Sequence, residues 1–181
     1  MFRQAHDDRG EALALVPHPA FPPANVTAVS VALARDEARW LATFTVVGGP
    51  LLLPQQATPE RTDDLWRATC FELFVKQPEH AEYVEFNLSP SARWAAYQFD
   101  HHRAGRRDFA VALAPRIERR EDGITAALDI TALPPPPWRV GINAVIHEAD
   151  GTESFWALAH PLGKPDFHDD ACFALAIPAA G

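Results

Sequence analysis

The chain is poor in the features that mark several large protein classes. Of its 181 residues only 2 are cysteines, Cys70 and Cys172, without the paired spacing of a metal site. Each lies inside an apolar segment, TCFELFV and ACFALAI, where a reduced thiol acts as a small hydrophobe. Met1 is the single methionine. No run of about 18 apolar residues occurs, which excludes a membrane-spanning helix. Lysine and arginine number 16 against 24 acidic residues, a net charge of −8, so nucleic acid is not an expected partner. The one dense basic cluster, Arg103 to Arg107 behind His101 and His102, is short and reads as a solvated loop. The segment Met1–Phe21 has no apolar stretch of signal-peptide length, and Asp7, Asp8 and Glu11 oppose one. A cytoplasmic location is therefore expected. P-loop, nucleophile-elbow and dinucleotide fingerprints are all missing, and there is no internal repeat.

What the sequence does have is many short alternating segments separated by its 17 prolines and 9 glycines. Ala12–Val16 ends at the proline-rich PHPAFPPAN, and Val26–Ala34 and Arg39–Val47 flank a hairpin loop over Arg35–Ala38. Leu51–Leu65 reads as a long surface loop with a helical turn near Pro59–Asp64. Beyond the centre of the chain, strands are expected over Phe109–Arg119, Gly123–Ile130, Trp138–Glu148, Glu153–His160 and Cys172–Ile177. Asp-Gly pairs at Asp122 and Asp150 turn two of the hairpins. The count of about ten strands, with no amphipathic helix, predicts a single-domain, two-sheet antiparallel β-sandwich spanning residues 1–181.

The centre is Leu65–Phe99, which reads as strands over Thr69–Lys76, Glu82–Ser89 and Arg93–Phe99. In the middle strand Tyr83, Glu85, Asn87 and Ser89 share one parity and Val84, Phe86 and Leu88 the other. Successive strand residues point to opposite faces, so one face is apolar and the other polar. Hydrogen-bonding groups interleaved with an aromatic suit a polar-ligand cleft better than a plain solvated face.

Three blocks, DDLWRATCFELFV, YVEFNLSPSARWAAYQF and SFWALAHPLGKPDFHDDACFAL, resemble bacterial DOMON-like proteins related to family 9 carbohydrate-binding modules. The resemblance runs from about Val26 to Ile177 and implies a jelly-roll-like sandwich whose relatives bind sugars or haem on a concave face or its rim. The sequence departs from the secreted context of those relatives. Haem on Met and His ligands does not suit a chain whose only methionine is Met1, and no covalent haem motif is present. No cofactor or metal is expected.

Sugar recognition needs flat aromatic faces and fixed hydrogen-bonding groups. Trp66 and Trp156 are the candidate faces, either of which also suits a core, whereas Trp40, Trp94 and Trp138 are assigned to the core. Arg67, Glu72, Glu85 and Asn87 are the candidate polar contacts, with His160 on the parity of Trp156. The Gly163–His168 loop, with Lys164, Asp166 and His168, is placed at the rim. The expected function is non-catalytic binding of a small polar ligand, a saccharide foremost, with no nucleic-acid or membrane partner. Two alternatives stand beside it: a hydrolase using Glu72 and Glu85 or a metal at His160 and His168, and an adaptor whose sheet face binds protein.

Overall fold

The structure is a computed structural model that describes residues 3–4, 12–35 and 38–179. Met1, Asp7, Asp8 and Glu11, and Asp36 and Glu37 of the expected Arg35–Ala38 loop, lie outside the described residues. The fold is all-β. Its strands are β1 (Arg3–Gln4), β2 (Leu13–Pro17), β3 (Val26–Arg35), β4 (Arg39–Gly48), β5 (Cys70–Lys76), β6 (Tyr83–Leu88) and β7 (Trp94–Phe99), followed by β8 (Arg107–Asp108), β9 (Arg116–Arg120), β10 (Gly123–Asp129), β11 (Trp138–His147), β12 (Glu153–Ala157) and β13 (Leu175–Ile177). Short 3-10 turns lie at Leu65–Arg67 and Asp170–Cys172. No described helix is long and apolar enough to cross a membrane.

Alternation in the sequence becomes alternation in burial. In β4 Trp40, Ala42, Phe44 and Val46 are buried between more open neighbours, and in β10 Ile124, Ala126 and Leu128 are. β5 and β6 are buried on both faces, which is why their sequences are apolar with only a few polar insertions.

The two expected sheets are one continuous sheet that curls back on itself. Its hydrogen-bonded order is β8-β7-β6-β5-β11-β12-β2-β3-β4-β10-β9, and all its ladders are antiparallel except β1 with β13. β2 makes the junction by changing partners halfway. Its Leu13, Ala14 and Leu15 pair with β3, while Val16 and Pro17 pair with Ala157 and Trp156 of β12. The inner faces of the two halves meet in one apolar core, where Phe44 packs on Phe71 with ring centroids 4.8 Å apart and Trp40 meets Trp138 edge-to-face at 5.4 Å. Trp94 also belongs to this core, as expected for these three tryptophans. Alternation tells which side of a strand is buried, but not whether two sheet edges are bonded, so the junction was not readable.

Smaller differences are local. The expected strand Phe109–Arg119 survives only as β9, because Phe109 turns inward against Phe86 and donates its amide to the Ala96 carbonyl. The helical turn expected near Pro59–Asp64 forms at Leu65–Arg67. Cys172 sits in a 3-10 turn rather than a strand, and Cys70 and Cys172 are both free and buried.

A candidate ligand cavity on the outer face

Residues of β12, β11, β5, β6 and β7 that do not face the core form a second surface on the other side of the sheet. Cross-strand register defines it: Ala157 is opposite Asn143, Asn143 opposite Glu72, Glu72 opposite Asn87, and Asn87 opposite Ala95. The next row runs Phe74, Glu85 and Tyr97. Directly opposed residues in a ladder point to the same face, so these side chains share one side.

Loops rise around this surface and enclose a cavity of about 610 Å³, within the range of small-molecule sites. Glu72, Glu85 and Asn87 line its floor. Its walls take Tyr97 and Phe99 from β7, Phe155 from β12, and Phe167 and His168 from the segment before β13. Trp66, on the 3-10 turn, is 47% exposed and closes one side, and Arg103 and Arg106 of the β7–β8 loop close another. That loop needs unusual backbone. Gly105 has φ +70°, where a Cβ would collide with the Asp100 carboxylate, and Arg103 is left-handed at φ +54°.

A polar frame fixes the wall. Asp166 accepts from Nε and Nη2 of Arg103 at 3.1 and 2.8 Å and from Nε2 of His102 at 2.8 Å. The Tyr83 hydroxyl is bonded to His168 Nδ1 at 2.7 Å and accepts from the Arg103 backbone amide at 3.1 Å. Tyr97 donates its hydroxyl hydrogen to Asp63. The Arg106 guanidinium lies 4.6 Å from the Tyr97 ring centre.

The floor is acidic and buried. Asn87 Nδ2 donates to Glu85 Oε1 at 2.6 Å. Burial pushes the Glu85 carboxyl up to about 7, against the pull of the Asn87 hydrogen bond and of Arg103 and Arg106. Burial also raises Glu72 well above the ordinary carboxyl range; the neighbouring Glu85 charge adds to this and Arg103 opposes it. His168 is pushed down to about 4, chiefly by burial and then by Arg103. Its Nε2 lies 3.8 Å from Glu85 Oε2, a contact of a neutral imidazole with a carboxyl rather than an ion pair. Tyr83 is pushed up to about 12 by burial.

Of the sequence candidates, Trp66, Glu72, Glu85, Asn87 and His168 converge on the cavity, and Asp166 positions its Arg103 wall. Four others do not line it. Trp156 faces the core, is 2% exposed, and donates from Nε1 to Ser154 Oγ at 2.9 Å. Its neighbour Phe155, of opposite parity, takes the cavity position. His160 is excluded because β12 ends at Ala157, breaking the assumed alternation. Its Nε2 donates to the Val16 carbonyl at 2.9 Å, and its ring stands edge-on to His18. Arg67 points to a second depression across the 3-10 turn, 3.6 Å from Asp64. Lys164 is exposed on the loop while its neighbours Pro165, Phe167 and His168 line the cavity.

His160 and His168 thus have separate neighbours, and no group of three or more His, Cys, Asp or Glu among the described residues is placed to hold a metal ion. Glu72 and Glu85 do come together. Sequence reasoning missed Tyr97, Phe99 and Phe155, which alternation carries once the outer face is known. Arg103 and Arg106, read as a solvated loop, are walls of the cavity, and no local signal in the sequence marks them.

No protein-family model matches the chain, and no curated protein matches it. A solved structure does. The crystal structure of a putative carbohydrate-binding protein from Bacteroides uniformis ATCC 8492 superposes with a TM-score of 0.65 at 17% identity, covering 92% of this chain and 86% of that one. At that identity the likeness establishes a shared fold. The two chains share their architecture over nearly their whole length.

Proposed function

We propose that the outer-face cavity binds a saccharide or sugar-containing small molecule without transforming it. One observation carries this reading: an acid and amide floor, Glu72, Glu85 and Asn87, lies beneath aromatic walls that include an exposed tryptophan. Sugars present hydroxyls around their edge and C–H groups on their faces, so the floor suits the edge and Trp66, Tyr97 and Phe155 suit the faces. The fold shared with a putative carbohydrate-binding protein supports the same ligand class by analogy. Membership in the DOMON-like group related to family 9 carbohydrate-binding modules, a single-domain organisation and a cytoplasmic location belong to this proposal. Nucleic acid and membrane stay outside it.

The test is titration with mono- and oligosaccharides, following tryptophan fluorescence. A saturable change that disappears in folded Trp66→Ala protein is expected. Silence across gluco-, galacto- and manno-configured sugars would overturn the reading.

A further inference from the structure

The cavity floor has acceptors that no described residue satisfies. Glu72 is 3% exposed and has no hydrogen-bond partner among the described residues. Glu85 receives one hydrogen bond, from Asn87. Directly across the ladder from Glu72 stands Asn143 of β11, fully buried, with neither its amide oxygen nor its amide nitrogen paired. Buried polar groups of this kind are rare unless a ligand or water completes them.

The nearby cations are occupied elsewhere. Arg103 donates from Nε and Nη2 to Asp166, and Arg106 lies over Tyr97. His168, a neutral imidazole, is bonded to Tyr83 and brings no charge. A hydroxyl brings a single hydrogen to such a floor, whereas an ammonium brings three and a positive charge. The aromatic walls Trp66, Tyr97, Phe99 and Phe155 add ring faces that attract a cation. A bare Ca²⁺ would need about six to eight oxygens, more than two carboxyls and the neighbouring amides offer, and rings supply none. An acidic sugar would set its carboxylate against Glu72 and Glu85.

We infer that the sugar this cavity selects carries a free amine, held as an ammonium against Glu72 and Glu85. The inference rests on the saccharide-binding reading above. Amine binding is then coupled to protons. The ionisable groups around the floor are Glu72, Cys70, Glu85, Tyr83, Tyr97, Arg103, Arg106 and His168; of the two carboxyls, Glu85 is raised by burial to about 7 and Glu72 well above the ordinary carboxyl range. An ammonium must displace their protons, so its affinity rises from pH 5.5 to pH 7.5, while that of a neutral sugar does not.

The experiment is calorimetric titration of the full chain with glucosamine, glucose and N-acetylglucosamine, repeated in the galacto and manno series, at pH 5.5 and 7.5. We expect the amine to bind at least about tenfold tighter than either partner of its series at pH 7.5, the difference expected when a buried charge is paired. The preference should shrink at pH 5.5. Glu72→Gln and Glu85→Gln, checked for native melting, should abolish it. Equal affinity within each trio, or preference for the acetylated sugar, overturns the amine inference and leaves saccharide binding standing. No binding in any series overturns both. The pH series on the unaltered chain tests the coupling even if the variants do not fold.

Discussion

Asn87 stands directly opposite Glu72 across the β5–β6 ladder, yet its side-chain amide turns along its own strand and donates to Glu85 at 2.6 Å. The amide therefore lowers the cost of one buried carboxyl and leaves the other without a donor. Two acids of the same type, on one face and in one cavity, are made unequal by that choice. Unequal carboxyls are characteristic of ligand sites, because a floor optimised for folding would pair both.

Glu85→Gln should stabilise the protein at high pH. The folded-state value of about 7 lies above the ordinary 4.5, so the folded protein binds more protons across that interval. Stability contributed by the protonated carboxyl is fully present below about 4.5 and is lost as pH rises through about 7. We expect the variant to exceed the parent by about 1–3 kcal/mol at pH 8, with little difference at pH 4.5. Urea denaturation at both values checks this, and a parent that is the more stable protein at pH 8 would contradict it.

His168 works in the opposite direction. Its folded value of about 4 lies below the ordinary 6.5, so the unfolded chain binds more protons and stability is lost as pH falls from about 6.5 through 4. Between about 4.5 and 6.5 the slopes from His168 and Glu85 offset each other. His168→Gln removes the opposing slope, and its melting temperature should fall more steeply than the parent's as pH rises over that window. Parallel profiles for the two proteins would show that the imidazole is not the offsetting group.

The two candidate tryptophans should separate cleanly. Trp66 is about half exposed, so Trp66→Ala should cost under about 1 kcal/mol of stability while removing sugar-dependent fluorescence. Trp156 is buried in the core, and Trp156→Ala should cost about 3–5 kcal/mol by leaving a cavity. Trp156→Phe, a milder change, should retain ligand affinity. Loss of affinity in the folded phenylalanine variant would return Trp156 to the site.

Glu148 is a fully buried carboxylate far in sequence from its partners, accepting the backbone amides of Ala24 at 2.8 Å and Asn25 at 2.7 Å. Glu148→Ala would orphan both amides where β3 begins. A loss of about 2–4 kcal/mol is expected, with ligand affinity of the folded fraction unchanged. A loss under about 0.5 kcal/mol would mean that water replaces the carboxylate there.

Some of this was legible in the sequence and some was not, for physical reasons. Glu85 and Asn87 were readable because period-2 alternation in a strand with one apolar parity leaves little choice of face. The same rule left Trp156 undecided, since β12 carries a large apolar side chain on each parity and Phe155 had equal claim. Arg103 enters the site through Asp166, a partner 63 residues away, and such pairing has no local signature. The continuous sheet depends on Val16 and Pro17 meeting Ala157 and Trp156, a contact between distant segments that the proline-rich flank concealed.

Among the described residues the curled sheet ends at β8 and at β9, and the margin at β9 is guarded. Arg116, Glu118, Arg119 and Arg120 are all exposed along that last strand. A second molecule laying its own β9 there would crowd guanidinium groups from both copies along a single line. Charge on an edge strand opposes such strand addition. The arginines of β9 lie outside the proposed ligand cavity, and their charge discourages the molecule from extending its sheet into a fibre.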